Sequence, residues 1–368
     1  MKKILVLNYE FPPLGGGASP VSYEIAKGYV KNGFTVDVVT MGFKGLPAFE
    51  VKDGINIYRV KCWRTKKEIC HPWEQLTYIW SAKRFLKEHL KTHTYDINHT
   101  HFIIPTGVVS LWLKKKYQLP YIITSHGSDV LGYNKRFKLL YPFLVRTWKK
   151  ILDNANKIIS PSNFLKTEIL KVYPQFSDKK IEKIPNGIDI SKFTPQVKKK
   201  YIFSSGRLLV SKGFQYLIKA VSDEDLGYEV HIAGDGPMMS ELKKMAEKSK
   251  TKIIFHGWLD NNGKEYKDLL EQSAIYVLAS EKENASIALL EAMSAGCAII
   301  TTNVSGCPDT VGNAGLLVRP NDVVDLKLKI NKIINDLDKL VELQKEALER
   351  VKITYDWGVV MKEYTKIL

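Results

Sequence analysis

Ile275-Tyr276-Val277-Leu278-Ala279-Ser280-Glu281-Lys282-Glu283-Asn284-Ala285-Ser286-Ile287-Ala288-Leu289-Leu290-Glu291-Ala292-Met293 reads as a strand, a loop and a helix in succession. The run 275–278 is apolar without alternation, as in a strand buried on both faces. Ile287, Leu290 and Met293 then recur at helical spacing. Two carboxylates frame the junction, Glu283 in the turn before the helix and Glu291 in its second turn. The free N–H groups around Ser286, Ile287 and Ala288 point out of the helix N-terminus, where an anion binds well. A carboxylate for sugar hydroxyls, amides for phosphate and a second carboxylate for a ribose would make one nucleotide-sugar site. A helix with an acidic N-terminal region, favoured by the helix dipole, explains the same residues without any ligand.

The same strand-then-helix rhythm runs outward in both directions. Before it, strand signals at 3–8, 34–41, 55–60, 97–100, 121–124 and 157–160 alternate with helical stretches at 19–31, 73–90, 106–116 and 137–153. A breaker-rich hinge follows, Ile184-Pro185-Asn186-Gly187-Ile188-Asp189 and then Phe193-Thr194-Pro195. A second set has strands at 201–204, 229–233, 253–256, 274–278 and 298–302. Its helices are at 212–221, 238–248, 265–272 and 287–295. One long polar helix is expected from about 323 to 350, and a shorter amphipathic one from about 357. Such alternation predicts an α/β chain of two doubly wound parallel sheets with a cleft between them. In sheets of this kind ligands bind beyond the carboxyl ends of the strands, so each strand-to-helix loop is a candidate. No fixed-period repeat or low-complexity segment is present, which excludes solenoids and disordered linkers.

The 368 residues are enough for two or three full cores. Cys62, Cys70, Cys297 and Cys307 show neither metal-type spacing nor a disulfide framework, which suits a reducing compartment. Asn8 and Glu10 end the first apolar run too early for a signal peptide, and no stretch approaches a membrane span. The expectation is a cytoplasmic protein. The net charge of +16 is carried entirely by one half of the chain. Residues 1–186 hold 30 lysines and arginines against 14 acids, and the remainder holds 25 of each. A basic half beside a neutral one suggests that the first meets an anionic membrane, a phosphorylated acceptor or nucleic acid. A solvated, lysine-rich surface is the plain alternative.

Several loops could carry chemistry. Gly15-Gly16-Gly17 follows the first strand, with Ser19 suited to the N-cap and Pro20 to the first helical turn. A dinucleotide fingerprint would need a third glycine where Pro20 stands and an acid where Thr40-Met41 stands, so NAD is not indicated. Ser125-His126-Gly127-Ser128-Asp129 closes a strand, and His126 there could donate to a sugar. His99 and His101 alternate at another strand end, without the third ligand or acids that a metal site needs; lining or packing is the expectation. Arg207 leaves a strand end and Lys212 begins a helix five residues later, a pair suited to a diphosphate. Ala233-Gly234-Asp235-Gly236-Pro237 and His256-Gly257-Trp258 are further strand-end turns that allow close backbone approach. Asp223-Glu224-Asp225 lies between a helix and a strand, away from the candidate loops, and reads as a solvated turn.

Taken in order, Gly15-Gly16-Gly17, Ser125-His126-Gly127, Pro185-Asn186-Gly187-Ile188-Asp189, Gly206-Arg207 with Lys212-Gly213, Ala233-Gly234-Asp235-Gly236-Pro237 and Glu283…Glu291 resemble a retaining glycosyltransferase of family 4 with the GT-B fold. The resemblance covers nearly the whole chain. It implies an N-terminal acceptor domain over 1–190, a nucleotide-sugar domain over 196–350, and a final helix, 355–368, crossing back to the first. It implies that Arg207 and Lys212 neutralise the donor diphosphate, that Glu283 contacts donor-sugar hydroxyls and Glu291 the ribose, and that amides near Ser286, Ile287 and Ala288 hold phosphate oxygens. Gly16 and Gly17 would face the donor phosphates and the acceptor, His126 the reacting sugar and Gly257 the base. Residues 284–286 are Asn-Ala-Ser, where many members have a bulkier or proline-containing stretch, so the donor sugar does not follow.

The expected activity is transfer of a sugar from a nucleotide-diphosphate sugar, a UDP-sugar in the first instance, with no metal and no cofactor. The expected acceptor is a glycan or lipid-linked molecule of cell-envelope polysaccharide synthesis, met at an anionic membrane surface on its inner face. Trp63, Trp73, Trp80, Tyr133, Phe137, Tyr141 and Trp148 lie among cations such as Arg64, Lys66, Lys135 and Lys138 and would support docking there; singly, each ring is as well explained as core. A nucleotide-sugar epimerase or hydrolase on the same fold is the rival enzyme. A nucleic-acid-binding protein rests on charge alone and lacks a recognition module, so no nucleic-acid partner is expected.

Overall fold

The computed structural model describes residues 2–132 and 141–368. Tyr133, Lys135, Phe137 and Lys138 lie outside the described residues, as does the expected start of the helix at 137. The chain divides into two units, Met1–Asn186 with Trp357–Leu368, and Gly187–Asp356.

The first unit runs β1 (Lys3–Leu7), α1 (Ala18–Lys31), β2 (Thr35–Met41), β3 (Phe49–Lys52), β4 (Ile55–Val60), α2 (Pro72–His89), β5 (Ile97–His101), α3 (Thr106–Tyr117), β6 (Tyr121–Thr124), α4 (Tyr141–Asn154), β7 (Lys157–Ser160), α5 (Asn163–Val172) and β8 (Ile181–Lys183). Its sheet order is β3-β4-β2-β1-β5-β6-β7-β8. Every described pairing is parallel except β3 with β4, a hairpin turned at Asp53-Gly54 that the half-polar sequence Phe-Glu-Val-Lys did not signal. Ile4, Leu5, Val6 and Leu7 are all fully buried, as a central parallel strand covered on both faces requires.

The second unit runs β9 (Lys199–Ser205), α6 (Phe214–Val221), β10 (Glu229–Ala233), α7 (Met239–Ala246), β11 (Ile253–Gly257), α8 (Lys264–Gln272), β12 (Ser273–Leu278), α9 (Ile287–Ser294), β13 (Ala298–Thr302), α10 (Cys307–Val311), β14 (Leu316–Val318), α11 (Val323–Ile334) and α12 (Leu337–Thr354). Its six strands are parallel in the order β11-β10-β9-β12-β13-β14. The apolar run of β12 divides between the faces. Ile275 and Val277 pack with Leu217, Ile218 and Leu326, whereas Tyr276 and Leu278 pack with Leu289, Leu290 and Met293.

Two local expectations are corrected. The helix expected from 323 to 350 is two helices, because Asp336 accepts from the Lys339 N–H at 2.9 Å and caps a new start. Ser19 is not an N-cap: α1 begins at Ala18 from Gly17, and Ser19 is buried inside its first turn. The last helix, α13 (Trp357–Lys366), belongs to the first unit, where Met361 lies against Gly28 of α1 and Tyr364 against Tyr29.

Each sheet has one switch point, where chain order reverses: between β1 and β5 in the first, and between β9 and β12 in the second. Loops that leave such a pair diverge and open a crevice at the strand ends. Beside the second, the Gly206 loop and the 233–237 turn are bonded back to back, Gly206 N–H to Ala233 O at 3.0 Å and Leu208 N–H to Asp235 O at 2.9 Å. This contact requires glycine: a Cβ on Gly234, whose φ is +140°, would lie 1.8 Å from Gly206 O. Gly234→Ala is expected to lose on the order of 3 kcal/mol or more. Gly227→Ala, at φ +65° with open space around it, should lose only about 1 kcal/mol. Chemical unfolding of the two variants measures the difference.

Candidate active site

In the second unit the loops after β9, β10, β11 and β12 surround a cavity of about 230 Å³. Arg207, Gly234, Asp235, Trp258, Leu259, Ile287, Ala288 and Glu291 are among its lining. The structure thus brings Arg207, both residues of the first turn of α9 and Glu291 to one place. Ser286 is the N-cap of α9 but makes no side-chain capping bond, and it lies outside the lining.

Glu291 is buried in the second turn of α9, and burial raises its carboxyl above the usual range. Three partners oppose that rise: the Lys192 ammonium at 3.4 Å, the Tyr266 hydroxyl donating at 2.8 Å, and Asn261. Neither Lys192 nor Tyr266 is near Glu291 in sequence, and no spacing pattern marks them. A carboxylate held this way keeps acceptor capacity for a hydroxyl pair presented from the cavity.

Lys212 does not line the cavity beside Arg207. Its ammonium lies 2.5 Å from Glu283, whose carboxylate also accepts from the Ser280 hydroxyl at 2.9 Å. The two residues expected to hold diphosphate and sugar separately are therefore an ion pair. Backbone fixes the rest of that loop: Gly306 N–H donates to Glu283 O at 2.8 Å, and Glu281 N–H to Ser211 O at 2.9 Å. Gly257 is likewise structural in its first contact, since its carbonyl accepts from Gly234 N–H at 2.6 Å; the cavity lining begins one residue later, at Trp258. The acidic triplet 223–225 is engaged elsewhere, Asp223 and Glu224 with Lys327 at 3.2 and 3.4 Å.

In the first unit, Gly16 and Gly17 have open space where a side chain would stand. Glu10, read in the sequence only as the end of the first apolar run, lies against Gly15 and accepts from Gly16. Its carboxyl is raised by burial, against the pull of Arg64 and a hydrogen bond from Gly16 N–H. The loop holding His126 is organised by Asp129, which accepts from Ser125 Oγ, His126 N and Gly127 N, and on its other oxygen from Ile103 N at 2.8 Å. Burial raises the Asp129 carboxyl, and these donors oppose it.

His126 is not a lone imidazole. His101 Nδ1 lies 3.0 Å from His126 Nε2, their rings are stacked, and the His99 ring packs tilted against His101. His99 in turn meets the Tyr29 hydroxyl at 3.0 Å and Thr124 Oγ1 at 2.8 Å. Burial holds His99 and His126 down to about 3 and His101 well below its usual range, so all three are neutral near pH 7. The parallel register that sets His101 opposite Thr124 explains the grouping, and it is invisible in sequence spacing.

Residues 15–192 match the Glycosyltransferase Family 4 sequence family, and residues 187–350 match the Glycosyl transferases group 1 family. An uncharacterized glycosyltransferase of Methanocaldococcus jannaschii is 27% identical over 99% of this chain and 97% of its own length. The N-acetyl-alpha-D-glucosaminyl L-malate synthase of Bacillus anthracis is 23% identical, over 96% of this chain and 94% of its own. Among solved structures, sucrose-phosphate synthase from Thermosynechococcus elongatus superposes with a TM-score of 0.82 at 19% identity, covering 100% and 98% of the two chains. Anabaena HepE in complex with UDP gives 0.78 at 18%, covering 100% and 99%. Two parallel-sheet α/β units of this kind constitute the GT-B fold of glycosyltransferases. The chain belongs to glycosyltransferase family 4.

The buried histidines fix a pH dependence of stability. An unfolded chain protonates its histidines near pH 6.5, whereas His99 and His126 stay neutral in the folded state down to about 3. Within that window the unfolded state binds more protons, so stability is lost as pH falls. Denaturant unfolding across that window should show His99→Asn reducing the slope by about 1.4 kcal/mol per pH unit; an unchanged slope contradicts the neutral assignment.

Proposed function

We propose that the protein transfers a sugar from a nucleotide-diphosphate sugar, a UDP-sugar, to a glycan or lipid-linked acceptor at a membrane surface, with retention of configuration and without a metal. The observation that carries the reading is the meeting of Arg207, the first turn of α9 and the buried Glu291 on one cavity at the switch point of the second sheet. The UDP bound in the HepE structure is in keeping with the same donor class here. On this reading the enzyme works in the cytoplasm, at the inner membrane face.

Breaking the bond between sugar and phosphate builds positive charge on the sugar and negative charge on the departing diphosphate. Arg207 and the amides of Ile287 and Ala288 stabilise that leaving group without reorganisation. Lys212 adds a second cation, supplied with its counter-charge already in place as Glu283. Glu291 accepts from the ribose hydroxyls, and the backbone at Gly257 with Trp258 meets the base. Glu283 accepts from donor-sugar hydroxyls, so its charge lies where the sugar becomes cationic. On the first unit, Gly16 and Gly17 leave room for an acceptor, and neutral His126 can donate to a sugar hydroxyl.

Arg207→Ala should lower kcat/KM by about a hundredfold to a thousandfold. Glu283→Gln should lower kcat while leaving donor KM near that of the parent, because Lys212 is freed for the phosphates. Glu291→Ala should instead raise donor KM. Equal, purely affinity-type losses in the two glutamate variants would reverse the division of roles. EDTA should leave transfer intact, and product NMR should show the donor's anomeric configuration. Turnover of donor without acceptor would favour an epimerase or hydrolase instead.

A further inference from the structure

Helix α2 is built inside out on one side. Its inward residues Tyr78, Ala82 and Leu86 are fully buried. On its outer face, at helical spacing, stand Trp73 (56% exposed), Leu76 (65%) and Trp80 (63%). Trp63 (67% exposed) joins them from the preceding loop. The loop is fastened rather than loose: Trp63 N–H donates to Thr77 Oγ1 at 3.1 Å, and Ser81 Oγ to Lys61 O at 2.7 Å. Trp63, Leu76 and Trp80 consequently form a fixed shallow groove. Three tryptophans and a leucine held rigidly in water form an apolar patch that needs an explanation.

The charges around the patch identify its occupant. The outer row continues into Arg84, whose guanidinium lies 5.5 Å from the Trp80 ring, and then into Lys87. Lys61, Lys66 and Lys67 are exposed on the loop. Glu74, at the start of the helix, is turned inward and consumed in capping, by bonds from Thr65 and from His71 N–H at 2.7 Å, so that Glu68 and Glu88, the latter paired with Lys91, are the exposed acids beside these five cations. Aromatic rings that bury an apolar body at the headgroup level, ringed by cations, match the interface of an anionic bilayer.

A second observation points to lipid. Leu76 lies in the wall of the groove and also lines a cavity of about 400 Å³ within the first unit. That cavity is bounded by Ile69, Ile79, Ile104, Pro105 and Leu131, with Glu10, Glu68, Ser128 and Asp129 among its polar lining. A cavity with an apolar wall beside the patch and carboxyls among its lining suits the junction between the lipid and the polar part of an acceptor that never leaves the membrane.

We propose that the outer face of α2 with Trp63 is the surface by which this protein seats on an anionic bilayer, and that the adjoining cavity takes the junction between the lipid and the polar part of a lipid-linked acceptor. This rests on the membrane-acceptor reading above and names the residues that execute it.

The test is sedimentation of the full chain with vesicles of phosphatidylcholine alone or mixed with phosphatidylglycerol. The parent should bind the mixed vesicles, more weakly as salt rises, and its tryptophan emission should shift to the blue. Trp63→Ser with Trp80→Ser should weaken binding roughly tenfold to a hundredfold. Arg84→Ala with Lys87→Ala should weaken it roughly thirtyfold. All four positions are exposed, so thermal unfolding and UDP binding should match the parent. If the parent ignores both vesicle types, the membrane-acceptor reading itself fails. If the parent binds anionic vesicles and both double variants bind equally well, the reading stands and this surface is wrong. Self-association of the parent that the tryptophan variants abolish, with vesicle binding unchanged, would make the face a contact between copies and overturn the proposal.

Discussion

The second unit depends on how closely two loops approach at the point where its strand order reverses. A Cβ on Gly213 would lie 2.0 Å from Ala279 O, so the chain leaving β9 and the chain leaving β12 are in backbone contact. The bond from Glu281 N–H to Ser211 O and the ion pair of Lys212 with Glu283 lie on either side of that contact. Chain order makes these loops diverge, one toward α6 and the other toward α9. Fastening them at the base and letting them part above is what gives the crevice a fixed shape. The charges are brought together by the same contact, because Lys212 precedes Gly213 and Glu283 follows Ala279 by four residues.

The first unit meets the same problem with buried carboxylates. At its switch point, Glu10 holds the start of the Gly16 loop, and Asp129 gathers the backbone of 126–127 and of Ile103. Each carboxyl is raised by burial and drawn back by N–H donors, so each loop is shaped by a charge that would be costly to leave unpaired. The imidazole row behind His126 works in the opposite sense: burial keeps it neutral, so the row can donate and accept without adding charge.

This contrast separates what was legible in the sequence from what was not. The alternation of apolar runs and helical spacing is a local signal, and it located the inner strands of both sheets but not the short edge strands β3, β8 and β14. Ile275–Leu278 was read as a strand buried on both faces because no polar residue interrupts it. Local signals fail where two local options compete. Ser19-Pro20 looks like a helix start, yet Gly17 reaches the cap first, and the polar run 323–350 hides the cap at Asp336. Pairing is a different kind of information. Lys212 meets Glu283 across 71 residues and Lys192 meets Glu291 across 99, through strand order alone. The sequence could nominate Lys212 and Glu283 as a cation and an acid, but only the fold makes each the other's partner.

That partnership changes what the two glutamates can be asked to do. Glu291 is almost fully enclosed, with a tyrosine hydroxyl and an ammonium already bound, so it can accept little more than a neutral hydroxyl pair without strain on its charge. Glu283 is less enclosed and shares its charge with a cation that can turn elsewhere, since Lys212 is a flexible point charge on a long stem. A diphosphate arriving beside it would compete for that ammonium. As Lys212 turned toward phosphate, the negative charge on Glu283 would be uncovered at the moment when a departing diphosphate leaves positive charge on the sugar. An ion pair that divided on binding would deliver both charges where the reaction develops their opposites. Two glutamates eight residues apart on one loop and helix thus differ in kind, one enclosed among a tyrosine, an ammonium and the helix, the other held by one cation on a flexible stem.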